Sequence, residues 1–489
     1  MLERTRELSS ARALLMVAST ILLLCLLPAS GWAQGRSLTR DEARREAVMN
    51  NLDLLLARKD RERAELIART SRRPYVPIVR ASVNWQDETS LVVAGERNRA
   101  FRYSAGASWA LPVGTQFDAQ VGSTEFLSGA SFVPVPTTAL ELSVVQPLLQ
   151  GFGSDSNLLD QADLEVHVQR SLFIEQLNRF IVQVDQAYWE LAYAQADLDI
   201  KTRSVARARK QFEDTSANIE RGLLAPGEIY VVEDNLVNFE IQLLRSRESL
   251  ELARARLARL MRSDPREELA ASDSLEAQAT RGSEVAWERD LEAALENNPR
   301  VELQRVSLEQ TKEQVAFDRN QIKPSLDATA GVTLNGVDQS RAAAWGDVAT
   351  AQNPDYRVGL RFEVPIVRDP QRARVERAEI SVTRAETALA QSENEVTYDL
   401  RELFIQLEKR KQILESSERL VELAELKLST EQEKYRSGLS TLAYVVQFQR
   451  EFDSARIARQ RAAFDVIVLR ARIANTMGVL YREAGLEVR

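Results

Sequence analysis

The sequence holds few side chains from which a reaction centre could be built. His167 is the only histidine and Cys25 the only cysteine among 489 residues, so no His-based metal site, catalytic dyad or thiol chemistry can be assembled within the chain. Carboxylates are abundant, but they alternate with basic residues, as in Glu402, Glu408, Lys409 and Arg410. That is the pattern of a solvated helix face. No Walker-type phosphate loop is present. The expectation is a protein with no enzymatic activity and no cofactor, and the formal net charge of −8 argues against nucleic acid as a partner.

Cys25 lies in an apolar run, residues 13–28, that follows Arg4, Arg6 and Arg12 and precedes Ser30-Gly31-Trp32-Ala33. Basic start, apolar middle and small residues at the end predict a secretory signal, residues 1–33, cleaved after Ala33. The run is shorter than the ~20 residues a spanning helix requires. Without it the chain has no cysteine, so burial and hydrogen bonding must hold the exported fold.

The elements that position the remaining residues come in two copies. AVMNNLDLLLAR, from Ala47, resembles ALENNPRVELQR, from Ala294, and the same spacing carries Pro77 onto Pro324. After each proline the residues alternate: Val79, Ala81, Val83 and Trp85 in one copy, Ala328, Ala330, Val332 and Leu334 in the other. Period two predicts strands. A second strand pair matches, with Leu140, Leu142 and Val144 against Val358, Leu360 and Phe362, and Pro147 against Pro365. Between its strands the first copy has an added alternating run, Tyr103, Ala105, Ala107, Trp109 and Leu111, then Pro112-Val113-Gly114 as a turn signal, which predicts an extra hairpin near residues 102–125. The expected organisation is a first repeat over 34–262, a Ser/Asp/Glu-rich linker over 263–284, a second repeat over 285–478 and a tail over 479–489.

Residues 156–221 and 371–437 contain no Pro or Gly and are rich in helix formers. At 1.5 Å per residue each would extend about 100 Å, longer than a globular core needs. Phe173, Leu177, Phe180, Val184, Ala187, Leu191, Ala194 and Leu198 recur with steps of four and three, the seam of a coiled coil. Each run stops at a glycine, Gly222 or Gly438, and a shorter helix then returns. The strands carry polar residues on their other face, among them Arg80, Ser82, Asn84, Asp327, Thr329, Arg357 and Arg361. Strands greasy on one side and wet on the other suit a transmembrane barrel, and four cannot close one, because the smallest have eight. Several chains would have to share it.

In QPLLQGFG, from Gln146, Pro147 ends strand pairing, Gly151 and Gly153 permit a change of direction, and Ser154, Asp155 or Ser156 can cap the helix that follows. Phe152 would pack at the junction or anchor at a membrane interface. The octet is expected to be the joint from strand to helix.

These features together (the paired NN segments, Pro77 and Pro324, QPLL with its partner VPIV, the two very long helices, and RGLLAPGE with its partner SGLSTLAY) make the chain resemble the TolC family of outer-membrane channels over nearly all of its length. The resemblance implies an α+β membrane fold, with long antiparallel helices forming a periplasmic α-barrel and four strands per chain contributing to a shared twelve-stranded β-barrel. It implies a homotrimer in the outer-membrane lipid, serving as exit duct of a tripartite efflux pump or type I secretion system, with a periplasmic adaptor and an inner-membrane transporter as partners. Adaptor docking would fall on the helix tips, Arg221, Gly222, Leu223 and Ser437, Gly438, Leu439. An entrance constriction would involve Glu228, matched by Tyr444 in the other copy, so only half of the family's acidic pattern is present. The competing class is a periplasmic coiled-coil adaptor without a membrane barrel.

Overall fold

The computed structural model describes residues 36–72, 75–89, 97–128, 136–153, 156–281, 286–338, 340–364, 366 and 369–485. The expected signal, residues 1–33, lies outside the described residues, as do Pro365, Ser154 and Asp155. The elements are β1 (Arg36–Leu38), α1 (Arg40–Asn50), α2 (Leu52–Thr70), β2 (Ile78–Thr89), β3 (Arg97–Ala110), β4 (Gln116–Ser128), β5 (Thr137–Pro147), α3 (Ser156–Glu220), α4 (Glu228–Met261), β6 (Leu269–Ala271) and α5 (Leu275–Thr280). They continue with α6 (Trp287–Asn297), α7 (Pro299–Gln321), β7 (Ser325–Val337), α8 (Arg341–Ala349), β8 (Asn353–Glu363), α9 (Asp369–Arg436), α10 (Leu442–Thr476) and α11 (Leu480–Glu483). The long helices α3 and α9 are unbroken over 65 and 68 residues, as expected where neither Pro nor Gly interrupts the ladder.

The paired asparagines prove to be helix breaks. Asn51 and Asn298 leave the helical region with nearly the same backbone angles, φ −74° and −68° with ψ 122° in both. The interruption also supplies a tie: Asn50 donates to the Met261 carbonyl at 3.0 Å and Asn298 to the Thr476 carbonyl at 2.7 Å. In each copy a side-chain amide thus satisfies a carbonyl left open at the end of the returning helix.

The described residues gather into two compact units, to both of which α3 and α9 contribute. One contains the described parts of 1–51, 181–283 and 406–471. Here residues 263–281 of the segment read as a linker carry β6, which pairs in parallel with β1, and α5, which Ser274 caps. Tyr188 is buried beneath this small sheet and donates to Asp273 at 2.8 Å; burial, with the nearby Asp273 carboxylate, pushes its hydroxyl up to about 12. Arg44 and Asp185 form a buried two-point ion pair. Removing one partner would strand the other charge at a cost of about 3–5 kcal/mol.

The other unit contains the described parts of 52–180, 284–405 and 472–489. Its centre is a single antiparallel six-stranded sheet ordered β2-β3-β4-β5-β7-β8. The resemblance implies four strands per chain; the sheet has six because the extra hairpin, β3 and β4, is paired into it. Helix α8 lies over the end of the sheet remote from Pro147, so close to Gly336 that a Cβ there would meet the Ala344 carbonyl oxygen at 1.8 Å. Arg341 of α8 donates to Glu125 at 2.6 Å.

Candidate membrane sheet and helix tips

The register of the sheet sorts its side chains. Val79 of β2 lies opposite Ala107 of β3, then follow Ala119, Leu142, Val332 and Tyr356 on the successive strands. One row nearer Pro147 come Trp109, Phe117, Val144, Ala330 and Val358. One face is therefore apolar across all six strands. The opposite face carries the row Arg80, Gly106, Gln120, Glu141, Thr333 and Asp355, with Arg357 paired to Glu141 at 3.5 Å. A polar interior and an apolar exterior along every strand is the signature of a barrel wall in a bilayer. Among the described residues no helix is long and apolar enough to cross a membrane, which says nothing about strands.

From Leu326 to Leu334 the apolar stripe of β7 spans eight residue steps, about 26 Å along the strand. Tilted by about 40°, that covers about 20 Å along the membrane normal, close to the ~25 Å band of known barrels. Trp109 and Phe117 stack at 5.3 Å near one border of the band, where aromatic girdles sit.

The joint at QPLLQGFG is pinned from several sides. β5 ends at Pro147, but the chain follows β7 a little further, with Leu148 donating to the Leu326 carbonyl at 2.7 Å and Gln150 to that of Pro324 at 3.2 Å. Gly151 and Gly153 then take φ of 87° and 67°, conformations costly for any side chain with a Cβ. The Gly151 N–H donates to the Asn320 side chain at 2.8 Å, and the Gly153 N–H to the Val113 carbonyl at 3.2 Å. Phe152 is exposed in the single chain. Asn320 was not singled out by sequence reasoning, nor was the approach of Gly114, whose φ is 91°, to the joint. Gly114 lay in a recognised turn signal, whereas nothing local marked Asn320 as the residue that would reach Gly151.

At the tips, Gly222 and Gly438 both have φ of 72°. Leu223 donates to the Asn218 carbonyl at 2.8 Å while Gly222 donates to Ile219 at 2.9 Å; Leu439 and Gly438 repeat this with Lys434 and Tyr435 at 2.8 and 3.0 Å. These are paired Schellman caps. The cap explains the glycines but not the leucines. Its usual companion is an apolar contact back to the position occupied here by Asn218 or Lys434, and Leu223 and Leu439 instead remain 68% and 80% exposed. Arg221 and Ser437 are exposed beside them, and Ser440 and Lys434 both donate to Glu431, holding its carboxyl below the usual range.

Glu228 opens α4 in its first turn, behind Gly227, which provides no side-chain cap. Burial raises the Tyr435 hydroxyl above its ordinary range, and the nearby Glu228 carboxylate adds to the shift. Glu228 thus stands near the end of α9. Among the described residues no hydrogen bond links it to Tyr444, which is exposed on α10. No metal-binding cluster occurs among the described residues.

Comparison with known proteins agrees with this geometry. Residues 291–479 match the family described as outer membrane efflux protein. No curated protein matches the chain. Among solved structures, CusC, described as forming a transmembrane channel, is similar with a TM-score of 0.66 at 14% identity, over 94% of this chain and 96% of that one. The open state of the outer-membrane channel MtrE from Neisseria gonorrhoeae gives 0.65 at 15%, covering 90% and 88%. The outer membrane protein VceC from Vibrio cholerae gives 0.63 at 14%, covering 90% and 96%. Residues 291–479 thus match the outer membrane efflux protein family, and the chain as a whole shares the fold of these solved outer-membrane proteins.

Proposed function

We propose that the chain is the exit duct of a tripartite efflux pump or type I secretion system, a passive outer-membrane conduit that works as a homotrimer. The observation that carries this reading is the sheet, apolar on one face from Val79 to Val358 and polar on the other. Six strands with open edges at β2 and β8 are too few to close a barrel and too costly to expose in lipid, so further copies must complete the wall. Exposed apolar positions on the helices, including Val237, Ile241 and Leu244 on α4 and Ile413 and Leu420 on α9, supply further surface for copies to bury.

With no phosphate loop in the sequence, the energy for transport would come from an inner-membrane transporter. The exposed Leu223 and Leu439 are the surface on which a periplasmic adaptor would dock. Fractionation tests the reading: recovery in the outer membrane as a heat-modifiable trimer is expected. Recovery as a soluble periplasmic protein would overturn it in favour of a coiled-coil adaptor.

A further inference from the structure

We infer that the barrel built by this chain has eighteen strands, six from each of three copies, with β8 of one copy paired to β2 of the next. The inference rests on the trimeric channel reading and adds to it the composition of the wall. The hairpin β3–β4 does not lie on top of the sheet. β3 pairs with β2 from Ile78↔Ser108 to Thr89↔Arg97, and β4 pairs with β5 from Gln116↔Val145 to Thr124↔Thr137. β2 and β5 are therefore not neighbours. A narrower wall would require both ladders to break and β2 to pair with β5 instead, leaving the hairpin's backbone groups unpaired in lipid.

The inserted strands obey the same sidedness as the rest. Tyr103, Ala105, Ala107 and Trp109 of β3 and Phe117, Ala119 and Val121 of β4 fall on the apolar face; Arg102, Ser104, Asp118 and Gln120 fall on the polar one. The ends agree as well. The turn between β3 and β4 is the short Leu111–Thr115 link, closed by Leu111 donating to the Thr115 carbonyl at 2.8 Å. It sits at the Pro147 end, where a Cβ on Gly114 would meet the Pro147 ring at 2.7 Å. From strand end to strand start the links at the other end count more residues, and the one between β7 and β8 contains α8. Short turns on one side and long loops on the other are the habit of outer-membrane barrels.

Strand polarity then selects the partner. Six strands alternating in direction leave β8 running opposite to β2, so β2 of a second copy can join β8 and keep every neighbour antiparallel. The two edge strands are matched in length, 12 and 11 residues, and each presents its apolar side chains on the same face of the sheet. At about 4.8 Å between strands and about 40° of tilt, eighteen strands give a wall about 36 Å across, against about 24 Å for twelve.

Reconstruction of the trimer in lipid nanodiscs by electron cryomicroscopy tests this, together with single cysteines in β4, residues 34–489 holding no other cysteine. Eighteen strands are expected. Gln120→Cys should react with a charged, membrane-impermeant thiosulfonate and lose part of the single-channel current, while Ala119→Cys, one residue away on the lipid face, should be inert. A trimer with twelve strands and the hairpin outside the wall, or equal reactivity at the two positions, would overturn the eighteen-stranded wall and leave the channel reading intact. Absence of trimers in the membrane would overturn the channel reading, and this inference with it.

Discussion

An arginine on the apolar face tests whether that face meets lipid. Val332 lies on the β7 stripe one row beyond its middle at Ala330, and Thr333, its neighbour, points to the polar side. Arginine near the midplane of a barrel's lipid face costs about 2–4 kcal/mol, so Val332→Arg should cost about 6–12 kcal/mol over a wall shared by three chains. Even about 2 kcal/mol per chain shifts the folded-to-unfolded ratio about 30-fold. Thr333→Arg places its charge beside Glu141, opposite it on β5, and should stay within about 0.5 kcal/mol. Arginine would also be costly in a dry protein core, so Val332→Phe is the necessary companion. Fluid lipid accommodates a larger side chain, whereas a packed core would charge about 1–3 kcal/mol for it. The assay is the yield of heat-modifiable trimer in outer-membrane fractions, read beside urea stability in detergent. The expected order is wild type, Val332→Phe and Thr333→Arg together, with Val332→Arg far below. Normal yield of Val332→Arg, or Val332→Phe as damaging as the arginine, would refute the assignment of this face to lipid.

Other residues make independent predictions. Leu223→Asp with Leu439→Asp should abolish pump function, scored as lost resistance or secretion, while trimers persist; loss of trimers would mean that the leucines serve the cap. Glu228→Gln should reduce cation preference in planar-bilayer recordings if three copies form a charge ring; unchanged selectivity would leave Glu228 as a helix-start residue complementing the dipole. Valine at both Gly151 and Gly153 should cost about 1–3 kcal/mol at each positive φ and lower trimer yield without altering cargo range. Arg262 holds φ of 57° where the second copy has Gly478 at 71°, so Arg262→Gly should stabilise by about 0.5–1 kcal/mol in chemical unfolding. Gly478→Arg should be strongly destabilising, because its Cβ would meet the Asn297 carbonyl oxygen at 2.1 Å.

Much of this molecule was legible in its residues because the signals are local. Alternation after Pro77 and Pro324 reports which face each strand residue takes, since successive side chains point to opposite sides. Uninterrupted helix formers and a terminal glycine mark where α3 and α9 run and stop. Most of the coiled-coil seam written in α3, from Phe173 to Ala194, is buried. The duplication extends to a tie between each asparagine pair and the end of its returning helix, although Asn50 and Asn298, which make it, are not equivalent positions in the repeat.

What only the tertiary structure decided is pairing between distant residues. Alternation in Tyr103 to Leu111 determined that a strand exists and which side is greasy, but not its neighbours, because a strand's edge groups can bond to any partner in register. The ladder from β2 through β3 and β4 to β5 settles that, and it turns an added hairpin into part of the sheet. The same holds for Asn320 at the joint and for the pairing of residues 36–38 with 269–271. In each case the partner lies far along the chain, where no local spacing could specify it.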